Sequence, residues 1–201
     1  MNFLSIDCST DIGSLFVKTK NKTFSKILQS DKFNNDLLMK QITVFFEENN
    51  IEFDDISQVL VNQGPGSFSG LRGSLAIAKG ISLSKNIHLF GYDSFIWSSA
   101  KFYNKKKSIY SFIKFRDRYF VKRFDKNLES HSKIKEVTKK EIIKKYYSKF
   151  KVVPKNIAHY FDEEILKLYN LNIVNLDHNL LEFLQLKGLL DKKVIKPLYL
   201  S

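Results

Sequence analysis

The stretch Val61-Asn62-Gln63-Gly64-Pro65-Gly66-Ser67-Phe68-Ser69-Gly70-Leu71-Arg72-Gly73 decides the fold, because it compresses a strand end, a glycine-rich turn and a helix start into one short run. Val59, Leu60 and Val61 read as a buried strand. Gly64 and Gly66 admit backbone angles that other residues avoid, and Pro65 holds its own φ near helical values. Ser67 or Ser69 can cap the first free N–H groups of the helix, and Leu71, Leu75 and Ala78 recur at helical spacing on one side. Gly73, Ala76, Ile77 and Gly80 fall on another side, where small residues let a second helix come close. That side calls for a partner.

A glycine-rich turn before a helix could also cradle a phosphate, since free N–H groups and the helix dipole favour an anion there. The pattern fits this poorly. No Lys-Ser or Lys-Thr follows the glycines at P-loop spacing, and the third glycine of a GxGxxG fingerprint would fall on Ser69. Capping and helix packing are the favoured reading.

Composition narrows the class. A chain of 201 residues, 43% hydrophobic, can bury one sizeable core or two small lobes. No run of apolar residues is long enough for a membrane span, and Met1 leads straight into a strand-like segment, so a cytosolic protein is expected. The single cysteine, Cys8, allows no internal disulfide and reads as a small buried hydrophobe on a core strand. The net charge of +12 is local: residues 101–155 carry 19 Lys and Arg against 5 Asp and Glu, and the remainder 14 against 16. Within that segment Lys105, Lys106, Lys107 and Arg116 to Arg123 interleave with Phe112, Phe115, Tyr119, Phe120 and Phe124. Such a mixture could track a nucleic-acid backbone and stack on bases. The alternative is a solvated strand face whose rings point the other way into the core.

Periodicity places strands near 2–8, 12–18 and 21–27, a helix over 31–49 capped by Asp31, and a strand at 58–63. A helix over 68–84, a strand at 87–91 and a helix over 93–103 follow. Beyond the Lys-rich link 104–107, strands are expected at 108–115 and 118–125. Helices at 138–148, 161–169 and 178–189 and short strands near 151–153, 171–174 and 196–200 complete the chain. The alternation implies an α/β architecture in two lobes, 1–103 and a smaller 104–201, packed together without a disordered linker.

The segment GPGSFSGLRGSLAIAKGIS resembles the GPGSFTGLRIGxxxAKGLA segment of the TsaB family, the bacterial threonylcarbamoyladenosine biosynthesis proteins, often labelled glycoprotease-like. Phe3 to Thr10 followed by Ser14-Leu15-Phe16-Val17 resembles the family's opening ILAIDTST…SVAL hairpin, and Lys196-Pro197-Leu198-Tyr199-Leu200 its closing PxYLR. The resemblance covers residues 1–100 well and 101–190 faintly. It implies an actin-like ATPase fold of two related lobes, the second reduced, with the last strand returning towards the lobe interface. In that family TsaB is the inactive paralogue of the catalytic subunit TsaD. It pairs with TsaD through its first two helices, in a complex that also uses the ATPase TsaE and forms threonylcarbamoyladenosine at position 37 of ANN-decoding tRNAs. Carried onto this chain, the pairing face would comprise Phe33, Leu37, Gln41 and Phe45 on one helix and Arg72, Ala76 and Gly80 on the next. Gly64, Pro65, Gly66, Ser67 and Gly70 form the motif turn. Whether the lone chain pairs with itself stays open.

Departures from the family pattern concern chemistry. Actin-like ATPases grip phosphates with two DxG hairpins, but Ser9 stands where the first glycine would be and the second hairpin, Arg116-Asp117-Arg118, has none. Seven of the eight glycines lie at or before Gly91, which argues against independent ATP hydrolysis. His88, His131, His159 and His178 show no metal-binding spacing, and Ser67 and Ser69 lack a GxSxG elbow and a His or Asp partner. No catalytic residue, metal or cofactor is therefore expected. The alternatives are a weak ATPase or phosphotransferase using Asp7, Ser9 and Thr10, a basic tRNA-binding module with Lys106, Arg116 and Arg118 as candidate contacts, and, last, a peptidase. The family's DxRxxEVY strand motif appears here as Lys114, Arg116, Tyr119 and Val121, keeping the arginine alone.

Overall fold

A computed structural model describes residues 1–20, 22–29, 35–130 and 132–200. Two compact units emerge, one of residues 1–93 with 190–201, the other of residues 94–189. The boundary falls at Asp93 rather than at 103, because the short helix that follows packs on the second sheet.

The first unit contains β1 (Phe3–Asp7), β2 (Ile12–Lys18), β3 (Thr23–Gln29), α1 (Asn35–Glu48), β4 (Gln58–Asn62), α2 (Phe68–Lys85) and β5 (His88–Tyr92). Its sheet runs β3-β2-β1-β4-β5, antiparallel from β3 to β1 and parallel from β1 to β5. Strand alternation sends Leu4 and Ile6 to one face, opposite Val17 and Leu15 on β2 and Val59 and Val61 on β4. Leu38, Ile42, Phe45 and Phe46 of α1 and Leu75, Ala78 and Ile81 of α2 close over that face. Cys8 joins this core, and burial raises its thiol pKa. The expected cap Asp31 lies outside the described residues.

The second unit contains α3 (Ser94–Ser99), β6 (Ser108–Phe115), β7 (Arg118–Asp125), β8 (Lys135–Val137), α4 (Lys139–Lys145), β9 (Lys151–Pro154), α5 (Lys155–Ala158), α6 (Glu163–Leu166), β10 (Leu171–Val174) and α7 (Asn179–Leu186). Its sheet order, β8-β7-β6-β9-β10, repeats the first: three antiparallel strands followed by two parallel ones. An α/β fold built twice on one plan is the actin-like architecture. The helix expected over 161–169 is instead the single turn α6, and the single turn α5 before it was not expected; Asp162, just ahead of α6, has its carboxylate engaged by Lys139 and Tyr119. α7 ends on schedule because Gly188 takes a positive φ of 71° and lets Leu189 N–H reach back to Leu184 O at 3.0 Å.

Residues 196–200 form no strand, contrary to expectation. Pro197 has no N–H to give a ladder, and the segment is held by two separate hydrogen bonds to Gln63: Gln63 Nε2 to Lys196 O at 2.9 Å and Leu198 N to Gln63 O at 2.7 Å.

Candidate functional site

The motif turn is shaped by backbone contact. A Cβ on Gly66 would fall on the Ser9 carbonyl, one on Gly70 would fall on the Cys8 carbonyl, and Gly64 adopts a φ of 108°. Ser67 N donates to Ser9 O at 2.8 Å, and Ser67 is the N-cap of α2, its Oγ accepting from Gly70 N at 3.4 Å. Thus the turn after β4 is clamped onto the turn after β1 through Gly66 and Gly70, and Pro65 lies between Gly64 and Gly66.

Asp7, the acid of the first hairpin, is buried and points into this clamp. It accepts Ser9 N at 2.9 Å and Asn62 Nδ2 at 3.0 Å, while Asn62 Oδ1 accepts Gly64 N at 2.8 Å. Burial raises the Asp7 pKa, opposed by the hydrogen bonds from Ser9 and Asn62. Asp7 and Asn62 thereby tie the two turns together. Sequence reading missed Asn62; its place directly before a glycine-rich turn was the available signal.

The outer surface of α2 carries a different arrangement. Phe68, Arg72, Ala76, Gly80 and Leu83 are all exposed and follow one another at three- or four-residue intervals, so they form one stripe. Leu83 is 81% exposed, and nothing approaches the position of a Cβ on Gly80. Tyr199 stacks on Phe68 with centroids 5.4 Å apart, and the Arg72 guanidinium sits 4.2 Å from the Phe68 centroid and donates to Tyr199 Oη at 3.3 Å. Sequence reading had neither Phe68 nor Tyr199 in this face; their joint signal, an aromatic in each of two motifs, is visible only once the chain end returns.

On α1 the expectations divide. Leu37 is 40% exposed, with Met39 nearby at 38%, and Gln41 is half-buried with its Oε1 lacking a hydrogen-bond partner. Phe45 is a correction: it is 2% exposed and belongs to the internal core, because the residue faces the sheet alongside Ile42. Phe33 lies outside the described residues.

The candidate tRNA contacts are largely committed within the second unit. Arg118 forms a two-pronged ion pair with Glu136, which raises the Arg118 pKa and lowers that of Glu136. The Lys106 ammonium lies 4.7 Å from the Phe150 centroid, and the Arg116 guanidinium lies 5.3 Å from that of Phe115. Nor do rings and charges take opposite faces of β7. Arg118, Phe120, Lys122 and Phe124 share one face by alternation, with Arg118 over Phe120 and Lys122 over Phe124, each at 5.3 Å. The basic stems cover buried rings and keep them from stacking on bases.

Among the described residues no cluster of His, Cys, Asp or Glu could hold a metal ion, and no helix is long and apolar enough to cross a membrane.

Comparison with known proteins supplies a frame for these surfaces. Residues 30–108 match the family model described as TsaD: tRNA N6-adenosine threonylcarbamoyltransferase. Two curated relatives, both named tRNA threonylcarbamoyladenosine biosynthesis protein TsaB, come from Buchnera aphidicola. The protein of subspecies Baizongia pistaciae is 30% identical over 107 residues, 52% of this chain and 48% of that one. The protein of subspecies Schizaphis graminum is 31% identical over 104 residues, covering 52% and 50%. The match therefore spans about half the length of each curated relative. YeaZ from Pseudomonas aeruginosa shares the fold along 99% of both chains, with a TM-score of 0.72 at 13% identity. A second structure, an uncharacterized Pseudomonas aeruginosa protein with similarity to peptidase YeaZ, gives 0.71 at 14%, covering 100% and 99%.

Proposed function

We propose, from the similarity to the curated TsaB relatives and the shared fold, that the chain is a TsaB-family protein serving threonylcarbamoyladenosine formation on tRNA in the cytoplasm, as a non-catalytic subunit that docks a TsaD-type catalytic subunit. The observation that carries this reading is the exposed stripe of α2, Phe68, Arg72, Ala76, Gly80 and Leu83, with Leu37 and Met39 of α1 also exposed. An outer helix surface with two large apolar side chains, a small-residue centre and an arginine on an aromatic ring suits burial by a partner helix. The buried Asp7 and its clamp support a structural role for the first hairpin.

Co-elution with the TsaD subunit of the same cell tests the reading. Ala76→Trp and Arg72→Glu should each abolish the complex while leaving the circular dichroism of this chain unchanged. Gly80→Ala, in open space, should preserve folding and raise stability by about 0.5–1 kcal/mol from helix propensity. Undiminished co-elution of both Ala76→Trp and Arg72→Glu would remove α2 from the dock.

A further inference from the structure

The free edge of β5 opens onto a lysine-rimmed groove. Tyr92 O accepts from Gln63 N on the β4 side, whereas Gly91 turns its N–H and C=O the other way and pairs with Asp191 at 2.9 and 2.8 Å. By strand alternation, the N–H and C=O of Leu89 face the same way as those of Gly91. The chain after Asp191 then leaves the strand, and Ile195 dives into the core. Between strand and departing chain lies a cavity of about 630 Å³ with Leu89 and Ile195 in its wall.

Its charge is one-sided. Lys79, Lys192, Lys193 and Lys196 line it and no carboxylate does among the described residues. The sequence of the first unit is nearly neutral, with twelve basic and eleven acidic residues, so a third of its basic side chains gather at this one groove. The Lys192 ammonium lies 5.4 Å from the Phe90 centroid, on the strand itself.

We propose that this groove binds an extended acidic peptide segment, which adds as a strand to β5 beyond the Gly91–Asp191 bridge. The strand edge supplies backbone donors and acceptors at Leu89, and the lysines select alternate acidic side chains. A polypeptide is favoured over RNA because the edge offers one strand-spaced donor and acceptor pair, which an RNA backbone cannot mirror. A second copy of this chain would bring the same lysines against one another.

The full-length chain, labelled for NMR, would be titrated with a peptide of about eight residues alternating Glu and Val. Amide shifts should concentrate at Leu89 and 191–196. Lys192→Glu combined with Lys193→Glu, both exposed positions, should weaken binding about tenfold, and N-methylating alternate amides of the peptide should weaken it by a similar factor. Three results would each overturn the proposal: equal affinity for the N-methylated peptide, shifts that map elsewhere or do not occur, or tighter binding of an oligouridylate of equal charge at the same amides. Because this groove does not include the α2 stripe, loss of peptide binding and loss of TsaD co-elution are separately readable.

Discussion

The two units thread one strand order through different materials. In the first, helices of 14 and 18 residues cover the sheet, and glycines let the turns after β1 and β4 close on each other. At the corresponding places the second has α4 of 7 residues and the two single turns α5 and α6 of 4 each, and β8 has 3 residues where β3 has 7. Gly188 is its lone glycine. Among the described residues, five of the seven non-glycine residues with positive φ lie there, including Arg116 and Asp117 at 49° and 59° in the β6–β7 turn. The comparison teaches that strand order survives the loss of glycines and helix length, while close backbone approach does not.

The sharpest way to break this contrast is Gly66→Ala. Its Cβ would collide with the Ser9 carbonyl, so the first unit should lose about 3 kcal/mol in chemical denaturation, with faster amide exchange in β1 and α2. An alanine tolerated within 1 kcal/mol would show that the clamp is slack. In the second unit, the fully buried Lys151 takes over a comparable fastening role. Its ammonium donates to the carbonyls of Tyr146, Tyr147 and Lys149 at 2.8–2.9 Å, gathering the end of α4. Lys151→Met keeps the stem and orphans three acceptors; urea melts followed by Trp97, the single tryptophan, should report a loss of roughly 3 kcal/mol.

A pH series sharpens the comparison further. Burial lowers the His178 pKa from 6.5 to about 4, and its ring lies 4.8 Å from Trp97. The unfolded chain takes up this proton at a higher pH than the folded one, so its contribution is complete above pH 6.5 and disappears as pH falls to about 4. On the order of 3 kcal/mol should go over that window, and His178→Gln should flatten it. Asp162, held at about 2 first by Lys139 and then by Tyr119, acts in a lower window, with its effect reduced by exposure. The smallest effect concerns the left-handed turn. Asp117→Gly should stabilise the second unit by about 1 kcal/mol, since glycine carries no Cβ penalty at positive φ; no gain would mean that the aspartate is held by compensating contacts.

Much of the first unit was legible. β1 to β5 follow the alternation of Leu4, Ile6, Val59 and Val61, and α2 runs as its spacing predicts, with Ser67 as cap. The second unit was less so, because short helices give periodicity little length to act on: the helix expected over 161–169 is the single turn α6, and α5 and β8 went unnoticed. Site residues divided similarly. Ala76 and Gly80 reach the surface as expected, but Phe45 does not, since an apolar residue on a helix reads alike whether it faces a core or a partner. The basic aromatic strand was ambiguous for the same reason: alternation alone does not say whether a lysine stem lies over a neighbouring ring or away from it.

By itself the sequence determined the strand and helix elements of the first lobe, the glycine turn and the confinement of charge to one segment, all of which are set by neighbours a few residues apart. The tertiary structure decided what lies across distance. It buried Asp7 against Asn62, laid Tyr199 on Phe68, drew Arg118 to Glu136 and left the edge of β5 open beside Lys192. Those contacts join residues far apart in the chain, and local propensity carries no information about which distant side chain arrives to meet them.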